Sequence, residues 1–150
     1  MVVEPTRLTA AGRRSAILTA ARHEFARRGF RGASTASIAA GAGCSEPMLY
    51  KHFPSKQALF AAVLTDATEA MGARVRSLMA ESPGAMAGMI AVARHASTDP
   101  LIIEIIRLRM LAASLVDEPD VLRALAASMH EVIRGMAATI AAGMRRGFGI

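Results

Sequence analysis

The 150 residues are 53% apolar and only 4% aromatic, enough for one ordinary domain or a small head on a modest body. Ala, Leu, Ile and Met dominate, and the aromatic and Thr/Val-rich runs that build strands are missing, which argues against a β fold and for helix packed on helix. The formal charge of +6 is unevenly placed: residues 1–60 hold nine Lys/Arg against three acids, and residues 61–150 hold nine of each, so a basic front half suits a polyanion partner.

Residues 1–10 read as a flexible basic tail. A first helix is expected over 12–28, because Ile17, Ala21 and Phe25 recur every four residues with Leu18 beside them. Gly29 is placed to end it, being free to take positive φ. Ser34 has the character of an N-cap that reaches the N–H of Ser37, and a second helix follows with Ile38, Ala39 and Ala42 facing in. Gly43 closes it and Ser45 caps a third helix, with Pro47 in its first turn and Leu49 and Phe53 inward. Pro54 stops that helix. Ser55 caps a long fourth one over 56–80, striped by Leu59, Val63, Ala67, Met71, Val75 and Leu78.

Glu81-Ser82-Pro83-Gly84 is a break. Three further helices are expected after it. One covers about 85–97 and carries Met86, Met89, Ile90 and Ala93. The next opens at Asp99-Pro100, runs to about Val116 and is apolar on most sides, as a buried helix would be. The last follows Asp117-Glu118-Pro119 and runs to about Arg146, with Leu122, Leu125, Met129, Val132 and Met136 at steps of three and four. No stretch approaches the roughly 20 apolar residues of a membrane span. Residues 1–14 contain Glu4 and Pro5 and no apolar core, so they do not read as a signal peptide. The single cysteine, Cys44, excludes an intrachain disulfide and fits a reducing compartment, so a cytoplasmic location is expected.

The segment 34–53 has helix, tight glycine turn and helix in the order that places the second helix in the DNA major groove. Its details resemble the TetR family of bacterial one-component regulators. The carrying residues are Ile17-Leu18, Ala20-Ala21, Phe25, Gly29, Ile38-Ala39, Ala42-Gly43-Cys44-Ser45, Leu49-Tyr50-Lys51-His52-Phe53 and Ser55-Lys56, with Leu59 after them. Departures are Ala33 where Thr is common, Cys44 where Val is usual, and Ala58 where an acid often completes a capping box. The resemblance covers about residues 11–71. It implies an all-α fold: a three-helix helix-turn-helix head over 11–71, joined by the long fourth helix to a ligand-binding and dimerisation body over 72–150. Family members usually continue through two more long helices that form the dimer's four-helix bundle. The body is therefore expected to be incomplete, or to dimerise another way.

By the same resemblance, Glu46, Pro47 and Met48 point at base edges and Lys51 sits one turn on. A carboxylate accepts from cytosine N4, a methionine touches a thymine methyl, and a lysine suits guanine O6/N7. Ser34, Thr35, Ser45, Tyr50, His52 and Lys56 would hold phosphates. The only two lysines of the chain are Lys51 and Lys56, beside 16 arginines.

The implied partners are a double-stranded palindromic operator, a second copy of the chain and a small apolar effector; no cofactor and no metal are expected. Candidates for the effector site are Met86, Met89, Arg94, His95, Arg107, Met110, Met129 and His130, with Glu104 a further polar candidate. An adaptable methionine-lined pocket and a plain core both fit the methionines. An enzyme is disfavoured: Cys44 has no base and orienter, and His23, His52, His95 and His130 form no i, i+4 pair. A constitutive DNA binder, or a helical interaction module, remains the alternative to a ligand-operated repressor.

Overall fold

The computed structural model describes residues 8–115 and 117–147, and all its regular elements are helices. They are α1 (Ala10–Gly32), α2 (Thr35–Gly41), α3 (Glu46–His52), α4 (Lys56–Ala80), α5 (Ala85–His95), α6 (Pro100–Ala113) and α7 (Pro119–Gly147). The expected tail over 1–10 lies largely outside the described residues. So does Val116, where the sixth helix was expected to end; α6 stops at Ala113, capped by Ser114.

Side-chain caps set most of the helix starts. Thr9 accepts from Gly12 N and starts α1 two residues before the expected position. Ser34, Ser45 and Ser55 accept from the third residue beyond them, Ser37, Met48 and Ala58. Asp99 caps α6 through Leu101 N. Gly29 (φ 71°) breaks the regular helix after Arg28 as expected, but one more turn follows before the chain leaves at Ala33. Gly43 (φ 65°) supplies the left-handed residue of the turn between α2 and α3.

The long α4 is the spine: it packs on α1, α5, α6 and α7, while α1 also packs on α2 and α6. The expected stripe of α4 accounts for only part of its burial. Phe60 and Leu64 are buried as well, because helices lie against two sides of α4, and Met71 and Val75 are only half-buried. Phe60 meets Phe25 edge-on at 4.9 Å and Phe30 at 5.5 Å. One continuous apolar cluster runs from Ile17, Phe25, Leu49 and Phe53 through α4 to Ile105, Leu108, Ala112 and Val121.

The later helices depart from expectation. The sixth helix is not buried all round: Ile102, Ile105, Leu108 and Ala112 point in, whereas Ile106 is exposed and Met110 is 71% exposed. In α5 the buried residue is Gly88, where a Cβ would lie 2.5 Å from Met79 Sδ; Met86, Met89 and Ile90 face outward. In α7, Val121 and Ser128 are buried, Leu125 and Val132 half-buried, and Leu122, Met129 and Met136 exposed. The helix is rotated about one residue from its most apolar stripe. Ser128 is buried because it bridges two neighbours, Thr68 Oγ1 at 2.8 Å and Arg109 Nη2 at 2.7 Å. No described helix is long and apolar enough to cross a membrane.

Candidate nucleic-acid interface

Seven residues are too few for a stable isolated helix, so α2 and α3 depend on what holds them. Inward, Ile38, Ala39, Leu49 and Phe53 are buried in the shared core. At their C-termini, arginines of α1 satisfy carbonyls that have no partner in the helix. Arg13 Nη1 donates to Gly43 O at 2.9 Å and Ala42 O at 3.5 Å. Arg14 Nη1 donates to His52 O at 3.4 Å, and its guanidinium lies 4.4 Å from the centre of the Phe53 ring. Much of the basic excess is thus structural. Arg28 pairs with Glu24 at 3.2 Å, and Arg22 Nε lies 2.9 Å from Glu104 Oε2, a charge contact without hydrogen-bond alignment.

With Leu49 and Phe53 turned in, α3 presents Pro47, Met48 and Lys51 to the outside, all exposed. Ser34 and Ser45 are exposed caps at the starts of α2 and α3. His52 is half-buried beside Phe53, at 6.4 Å between ring centres. The structure brings together three residues expected to act separately. Thr35 Oγ1 donates to Glu46 Oε1 at 2.5 Å, and Tyr50 OH lies 3.3 Å from the same Oγ1. Glu46 is therefore half-buried and held from α2, not extended freely. Lys56, the first residue of α4, lies over the Phe30 ring at 5.0 Å, and partial burial lowers its pKa from the ordinary lysine value.

The effector-site candidates are distributed over α5, α6 and α7. Met86, Met89, Arg94, Arg107, Met110, Met129 and His130 are exposed, and His95 is half-buried with Nδ1 2.7 Å from Ala91 O. None of them lines the open cavity of about 390 Å³ between the ends of α1 and α6, bounded by Arg28, Phe30, Arg31, Leu111, Ser114 and Leu115. Glu104, a polar candidate for the body, instead bridges to Arg22 and to His23, whose Nδ1 is 2.6 Å away. The polar residue that sequence reasoning missed is Arg109. Burial lowers its pKa, though a guanidinium stays charged, and its hydrogen bond goes to the Ser128 hydroxyl. Only the rotation of α7, invisible in the sequence, makes that pair.

Residues 17–63 match the family model of the bacterial regulatory proteins of the tetR family. The head is of the TetR type. Among its relatives, the uncharacterized HTH-type transcriptional regulator YdgC of Bacillus subtilis (strain 168) is 38% identical over 69 residues, 46% of this chain and 35% of YdgC. The HTH-type transcriptional activator FasR of Mycolicibacterium smegmatis is 48% identical over 52 residues, 35% of this chain and 24% of FasR. The matches thus span about a third and a quarter of these two relatives. A crystal structure of a protein assigned to the TetR family, from Mesorhizobium loti, superposes with a TM-score of 0.77 at 25% identity, over 94% of this chain and 72% of that one. The fold agreement therefore extends beyond the head into α5, α6 and α7.

Proposed function

We propose that the chain is a DNA-binding transcriptional regulator, acting as a homodimeric, ligand-responsive repressor on a palindromic operator. The observation that carries this reading is the outer face of α3. Pro47, Met48 and Lys51 project from a helix whose other side, Leu49 and Phe53, is locked in the core. A short helix held rigidly with its polar and flexible side chains outward is what major-groove reading requires. Lys56, Ser34, Ser45 and His52 flank it as phosphate contacts.

Two further observations support the ligand switch and the dimer. The apolar cluster is continuous from the head into α6 and α7, so a change in the body has a packed route to α1 and α4. The outward side chains Met86, Met89, Met110, Met129, Ile133 and Met136 give the body adaptable apolar surface for an effector and a second copy. A dimer would set two copies of α3 about 34–36 Å apart, one helical turn of DNA.

The test is selection of sites from a randomised duplex library by the 150-residue chain, followed by anisotropy titrations across a salt series. Enrichment of a near-palindromic site, with affinity falling steeply as salt rises, is the expected result. No enrichment would sink the reading. A promoter reporter carrying the selected site then gives the sign: transcription should fall, and a rise would make the chain an activator, as FasR is named. Apolar compounds that raise the melting temperature and release the duplex would establish the switch.

A further inference from the structure

The hydroxyl protons beside α3 have a direction. Thr35 has a single hydroxyl proton, and Oγ1 gives it to Glu46 Oε1. In its 3.3 Å contact with Tyr50 OH, Thr35 must then be the acceptor, so Tyr50 is the donor. The order is Tyr50 to Thr35 to the Glu46 carboxylate. Phosphate oxygens only accept hydrogen bonds, so neither hydroxyl is available to a phosphate while this chain of bonds stands. That order suggests a role for Thr35 and Tyr50 other than the phosphate contact expected from the resemblance.

What the chain of bonds does is fix a carboxylate. Glu46 opens α3, one helical turn before Tyr50, and the bond from Thr35 ties it to the neighbouring helix. An ionised carboxylate accepts at both oxygens and donates at neither, and Thr35 uses only part of that capacity. In the major groove, cytosine N4 and adenine N6 are the base donors; guanine O6 and thymine O4 are acceptors that a carboxylate repels. Adenine sets the N7 acceptor beside N6, so cytosine is the better fit.

Resting on the DNA-binding reading above, we propose that Thr35 and Tyr50 are positioning residues. They hold Glu46 as a rigid acceptor and make it the selector of a cytosine at one operator position. Freed of this bond, the Glu46 side chain would sample several rotamers and discriminate less.

The experiment compares variants on the site selected by the wild-type chain and on its single-base substitutions. Thr35→Val should reduce the cytosine preference at one position by roughly tenfold, within the range of a good base contact. Thr35→Ser should restore the preference, and Tyr50→Phe should reduce it less, at the same position. In a Glu46→Ala background, Thr35→Val should change the base preference no further. Glu46→Gln, which can pair with adenine N6 and N7, should move the preference from cytosine towards adenine. If Thr35→Val instead weakens every sequence by the same factor and leaves the preference intact, the positioning role is overturned. The same holds if Thr35→Val acts equally with Glu46 absent. A wild-type chain that selects no site overturns the underlying DNA-binding reading, and the selector role with it.

Discussion

At Lys56 a cation stands where the backbone of α4 is already positive, an unfavourable place unless an anion joins it. Packing over Phe30 and the lowered pKa describe a side chain that is held, not freely hydrated. Lys56→Ala should weaken DNA binding about equally for all sequences and lower the slope of log affinity against log salt by about one. Titrations at four or five salt concentrations measure it, and an unchanged slope removes Lys56 from the phosphate contacts. The serine caps were legible in the sequence because a hydroxyl three residues before an unsatisfied N–H is a local relation. The link from Thr35 to Glu46 was not, since it joins two helices whose relative placement the core decides. Arg13 and Arg14 were hidden for the same reason: the sequence shows them only as part of a basic front half, and the structure turns them to carbonyls of α2 and α3.

Among the elements, α6 depends on Asp99 twice. Its carboxylate caps the helix at Leu101 N and pairs with Arg74 Nε at 2.9 Å. The hydrogen bond from Arg74 is the main cause of its lowered pKa; desolvation opposes it, and the backbone bonds from Leu101 and Ile102 add to it. A carboxyl whose folded pKa is depressed contributes stability above its unfolded pKa and loses it as pH falls through the folded value. The wild type should therefore lose more stability than Asp99→Asn as pH drops below about 4, read from urea midpoints at each pH. Identical pH profiles would deny the pair a role. In α5, Gly88→Val would drive branched carbons into Met79, whose Sδ lies 2.5 Å and whose Cα lies 3.3 Å from an added Cβ. A loss of about 1–3 kcal/mol is expected in denaturant titrations, as for other overpacked contacts. The boundaries of α1 to α4 could be read closely because caps, glycines and prolines mark them. The facing of α5, α6 and α7 could not, because helices apolar on several sides have no single preferred stripe. Neighbours choose the buried side, and here they chose Gly88 and Ser128 over Met89 and Met129.

Over the whole molecule, Phe60 is the side chain that belongs to everything. It is fully buried on α4 and stacks edge-on against Phe25 and Phe30 of α1. Phe60→Ala should cost about 3–5 kcal/mol, the usual range for a large core aromatic. Because the apolar cluster has no gap between head and body, that loss should appear in a single unfolding transition. Helicity and a fluorescent label on Cys44 should report the same midpoint; two separated transitions would mean that the head folds on its own. The arginines of α1 carry a related consequence for the order in which the chain acquires its shape. Since α2 and α3 are seven residues each and borrow Arg13 and Arg14 to close their ends, neither persists before α1 has formed and docked. Their amide protons should exchange with deuterium as one group, at the pace of α1, so the two short helices are built after α1 and open only when their support does.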